Sequence, residues 1–68
     1  MSVRSEWEAY RREAEADYFE AAEYVERLPP WTPNRAELVE IVRRLQSRWE
    51  TRSVAFDAWL RATHPGEV

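Results

Sequence analysis

The chain has 68 residues, 44% of them hydrophobic and 34% charged, with 10 basic against 13 acidic residues and a net charge of −3. That length allows one small domain, residues 1–68, with a core that is marginal on its own. The absence of cysteine excludes disulfides and thiolate metal sites, and a single glycine excludes a glycine-rich phosphate loop.

The first segment opens on Ser5-Glu6-Trp7-Glu8, a capping box in which a serine hydroxyl accepts an amide proton and a glutamate reaches back. Trp7, Tyr10, Ala14, Tyr18, Ala21, Val25 and Leu28 then recur at steps of three and four residues, which is helical rather than strand periodicity. The spacing predicts a helix over about 5–28, and Val3 continues the same stripe if the helix starts a turn earlier.

Pro29-Pro30-Trp31-Thr32-Pro33-Asn34 breaks the pattern. Proline disfavours helix in the residue before it, so helix 1 ends near Leu28 and residues 29–34 form a turn. Thr32-Pro33 reads as an N-cap followed by proline at the first helical position, with Asn34 and Glu37 as a competing capping box. Pro30 to Pro33 also matches a minimal P-x-x-P ligand. The position between two helices favours a structural turn, with Trp31 covering the end of the bundle.

The second segment, about 33–63, carries Leu38, Val42, Leu45, Trp49, Arg52, Phe56, Trp59 and Thr63 on one stripe, widened by Ile41 and Leu60. His64-Pro65-Gly66 ends it. A second reading breaks this segment near 47–53 and gives three helices.

The pattern as a whole predicts an all-α chain folded as an antiparallel helical hairpin. A turn centred near Trp31 sets Trp49 opposite Ala14, Ile41 opposite Ala21, Phe56 opposite Trp7 and Trp59 opposite Val3. Charge agrees: Glu13, Glu15, Asp17, Glu20, Glu23 and Glu26 lie on helix 1, and Arg43, Arg44, Arg48 and Arg52 on helix 2. The core is expected from Trp7, Tyr10, Tyr18, Val25, Leu38, Val42, Leu45, Trp49, Phe56 and Trp59. Each apolar stripe is about 100° wide or more, broader than one neighbouring helix covers. Phe19, about 140° from its stripe centre, together with Tyr24, Trp31, Ile41 and Leu60, is therefore expected to bind a partner. A homodimer forming a four-helix bundle is the simplest arrangement.

Chemistry-bearing constellations are sparse. Glu13, Asp17, Glu20 and Glu23 share a helical side, but bundle carboxylate metal sites use Glu-x-x-His, and residue 61, three before the lone His64, is arginine. A solvated acidic face is the expectation, with no metal and no cofactor. Arg52 inside the apolar stripe reads as an ion-pairing residue toward Glu6, Glu13 or Asp17 rather than an anion-binding site. Ser, Thr and His assemble no nucleophile–base pair, so no enzyme activity and no catalytic residue is expected.

All ten basic residues are arginine, which with nine alanines points to a high-GC bacterial or phage genome. Without a basic stripe no nucleic-acid partner is expected, and an acidic helix 1 argues against a membrane surface. The absence of an opening charged–apolar–small segment predicts no leader and a cytoplasmic location. The expected role is a non-enzymatic helical interaction module that self-associates and binds a protein. The alternatives are an accessory subunit of an enzyme or phage-type assembly and an acidic antitoxin-like or inhibitor-like regulator.

Overall fold

A computed structural model describes residues 2–63, which form two helices, α1 (Val3–Arg27) and α2 (Arg35–Thr63), packed against each other as a hairpin. Helix α1 begins two residues before the sequence reading placed it. Ser2, in extended conformation, is the N-cap, and its Oγ accepts the Ser5 N–H at 3.1 Å. Two serines three residues apart both have capping chemistry. The earlier one wins and adds Val3 to the helix, while Ser5 becomes an internal residue. At the other end Leu28 adopts an extended conformation before Pro29 and donates its N–H to the Val25 carbonyl at 3.1 Å, as the steric demand of the following proline requires.

The connection differs from the expected cap. Thr32 does not cap α2. Its N–H and its hydroxyl both donate to the Pro29 carbonyl, at 3.0 and 2.7 Å, and close a turn over Pro30 and Trp31. The chain then passes through Asn34 at φ 64°, a left-handed conformation that asparagine tolerates better than most residues. The Asn34 carbonyl accepts the Leu38 N–H at 3.1 Å and starts the ladder, so α2 begins at Arg35 rather than Pro33. From there α2 runs unbroken for 29 residues, which overturns the three-helix reading with a break near 47–53. The His64-Pro65-Gly66 stop lies outside the described residues.

Stacked aromatic pairs bridge the seam. Trp59 stacks on Trp7, one turn further along α1 than Val3, with ring centroids 6.1 Å apart. Trp49 stacks on Tyr18, one turn beyond Ala14, at 5.4 Å. Both tryptophans thus find a ring one turn along α1 from the residue expected opposite them, in the stacked geometry that aromatic pairs favour, while Arg52 still reaches the Tyr10 carbonyl that a turn centred near Trp31 sets opposite it.

Two helices form a single layer, 51 by 20 by 14 Å. A layer of this kind has a seam and no interior. Among the described residues only Ala14, Val25 and Phe56 are buried. Of the residues expected in the core, Val25 and Phe56 are therefore covered, while Trp7, Tyr18, Leu38, Val42, Leu45, Trp49 and Trp59 are half-buried. Tyr10 is a correction: it is 47% exposed, because it stands at the rim of the seam, where its ring meets Trp7 edge-on at 6.1 Å and carries the Arg52 guanidinium on one face. Ala14, completely covered, marks where small bulk lets the helices approach. Among the described residues, no helix is long and apolar enough to cross a membrane.

Candidate interaction surface

The residues around the seam divide into two sides. On one side Arg48 reaches across from α2 and donates to Asp17 Oδ2 at 3.1 Å and Glu13 Oε1 at 3.5 Å. Arg52, one turn later, donates to the Tyr10 carbonyl at 2.7 Å, and its guanidinium lies 3.8 Å from the centroid of the Tyr10 ring. It also pairs with Glu13 at 3.6 Å. The Arg52 side chain is only 13% exposed although it sits at the rim. Its aliphatic stem fills the apolar stripe while the head group takes a carbonyl, a ring face and a carboxylate. Of the three acids the sequence offered to Arg52, Glu13 is the partner.

This cluster also shows where the acids of α1 go. Glu13 and Asp17 are engaged by arginines, and among the described residues no group of three or more His, Asp or Glu side chains is placed to hold a metal. Arg43, expected to answer helix 1, pairs instead with Glu40 on its own helix at 3.0 Å. Beside the cluster, toward the turn, a shallow groove of about 580 Å³ is lined by Asp17, Glu20, Ala21, Glu23, Tyr24, Arg27 and Leu45.

On the other side of the seam Phe19 rests on Tyr18 (5.1 Å) and Trp49 (5.4 Å), half of its surface open to solvent. The Trp49 indole N–H in this cluster is buried without a hydrogen-bond partner. Arg11 lies with its guanidinium 5.2 Å from the Phe56 ring centroid, and its Nε is likewise buried and unpartnered.

Of the residues the sequence assigned to partner binding, Phe19, Tyr24, Trp31 and Ile41 are exposed and Leu60 is half-buried. Trp31 is 81% exposed, so in a single chain it covers no end of the hairpin. The structure does not bring these five residues into one patch. Tyr24 and Ile41 flank the ionic side, Phe19 lies across the seam, and Trp31 stands on the turn. Tyr10 and Val3 were missed as surface residues. A signal existed: Val3, Tyr10, Asp17 and Tyr24 recur every seven residues, so Tyr10 shares its azimuth with a carboxylate and must lie at an edge. No family model, curated protein or solved structure matches the chain.

Proposed function

We propose that this chain is a non-enzymatic helical interaction module that self-associates and, in that form, presents surfaces to a protein partner. One observation carries the reading: seven large apolar side chains, Val3, Tyr10, Phe19, Tyr24, Trp31, Ile41 and Val54, stay exposed while only three residues are buried among those described. Single exposed apolar residues are ordinary on any protein. Here they outnumber the buried ones, and water contact forfeits about 25 cal/mol for each Å² of apolar area that association would bury. The shape supports the same reading, because one layer of two helices leaves both broad faces open and a second layer encloses one of them. A four-helix bundle of two hairpins is the assembly this favours.

Sedimentation equilibrium between about 1 and 100 μM, with thermal melts at the same concentrations, tests the proposal. A mass above that of the monomer and a melting temperature that rises with concentration are the expected results. A monomeric mass throughout, with a cooperative melt independent of concentration, overturns it.

A further inference from the structure

We propose that the face carrying the Arg48–Glu13–Asp17 cluster is where a second copy of this chain docks, with α1 of each copy lying antiparallel on α2 of the other. This rests on the self-association just proposed and names its surface. Four of the seven exposed apolar side chains belong to this face: Val3, Tyr10 and Tyr24 from α1, and Ile41 from α2. Phe19 lies across the seam, Val54 on the back of α2 and Trp31 on the turn.

The order along the face is apolar, ionic, apolar. On α1 the heptad column reads Val3, Tyr10, Asp17, Tyr24, and on α2 the columns read Leu45, Arg52, Trp59 and Ile41, Arg48. Within one chain Arg48 stands level with Asp17, as their hydrogen bond shows. A two-fold axis parallel to the helices keeps that level and exchanges the helices, so each Glu13–Asp17 pair faces Arg48 of the second copy, 37% exposed at its side chain, as well as its own. The acids have room for this, since Glu13 is 63% and Asp17 46% exposed at the side chain. A two-fold axis across the helices instead lays α1 on α1 and sets carboxylates on carboxylates, which is repulsive. Charge therefore selects the first arrangement. The area is adequate too: a face 51 by 20 Å offers about 1,000 Å², against the roughly 800 Å² per partner of a standard interface. Tyrosine and arginine, which this face carries at Tyr10, Tyr24 and Arg48, are among the residues that most often anchor such surfaces.

The chain has no cysteine, so introduced ones report cleanly. Single variants Tyr24→Cys and Ile41→Cys, mixed and oxidised mildly, are expected to form the mixed disulfide linking α1 of one copy to α2 of the other. In sedimentation, Tyr24→Glu and Ile41→Glu are expected to weaken the dimer about tenfold or more, with unchanged helicity because both positions are exposed in the single chain. Val54→Glu is expected to leave it intact. A dimer that survives Tyr24→Glu and Ile41→Glu but dissociates with Val54→Glu or Phe19→Glu overturns this face while leaving self-association standing. Preferential linkage of Tyr24→Cys to itself overturns the pairing of α1 on α2. A chain that is monomeric at every concentration overturns both the face and the self-association beneath it.

Discussion

Phe56 is the side chain on which the hairpin most depends. It is 5% exposed and the largest of the three buried residues among those described. Trp59 stacks near it at 6.2 Å, and the Arg11 guanidinium covers it at 5.2 Å. Truncating a buried phenylalanine to alanine costs about 3–5 kcal/mol through lost transfer energy and the cavity left behind. Collapse around the cavity is limited here, because Arg11 would move its cation toward an apolar void. A domain of this length has a total stability of about 3–10 kcal/mol at the usual density per residue. Phe56→Ala is therefore expected to remove a large part of that stability. The assay is a urea melt followed by far-ultraviolet circular dichroism at one fixed protein concentration, with Phe19→Ala as the comparison. Phe19 is half exposed and touches only two rings, so its truncation is expected to cost about 1–2 kcal/mol. A loss of less than about 1 kcal/mol for Phe56→Ala, or a larger loss for Phe19→Ala, would refute the placement of the seam.

Other substitutions read other parts of the hairpin. Trp49→Ala is expected to cost about 2–4 kcal/mol in the same melt, and Glu20→Ala, on the exposed side of α1, under about 1 kcal/mol. Trp49→Phe keeps a ring against Tyr18 while deleting the buried unpartnered N–H, so it is expected to cost less than half of the alanine change. Asn34→Val places a β-branched residue at φ 64° and is expected to cost about 1–2 kcal/mol, whereas Asn34→Gly should leave the melt within a few tenths of the parent. Arg52→Lys keeps the charge but loses the planar fit to the Tyr10 ring and carbonyl. It is expected to cost about 1 kcal/mol, more than Arg43→Ala, which removes only an exposed pair within one helix.

Periodicity made the two helices and the break between them legible, because stripes that repeat every three and four residues persist over more than twenty positions and the prolines interrupt them once. Local chemistry was less legible. Ser2 and Ser5 are equally good caps on paper, and only the folded geometry shows Ser2 taking the role. Thr32 had two uses, capping α2 or closing the turn on Pro29, and it takes the second, with Asn34 left-handed and α2 starting at Arg35. Tyr10 shows the remaining difficulty. The heptad column it shares with Asp17 places it at an edge, but a helical wheel gives the direction of a side chain and not how much lies above it, so the Arg52 guanidinium over its ring was not legible. The Arg48 and Arg52 partners were legible in kind, since the stretch from Glu13 to Glu26 on α1 carries acids and no arginine. Their particular pairing depended on which side of the seam each guanidinium reaches.

The closed turn at Pro29 has a kinetic consequence. Contacts across the hairpin grow more distant along the chain as they move away from it: Arg48 and Asp17 are separated by 31 residues, Arg52 and the Tyr10 carbonyl by 42, and the Trp7–Trp59 stack lies further still. Each longer loop adds to the entropy of closure, so pairing is expected to run like a zip from the Pro29–Thr32 turn outward and opening to run in reverse, with Trp7 and Trp59 parting first. Hydrogen exchange is then expected to be faster at their end of the hairpin than around Val25 and Leu38.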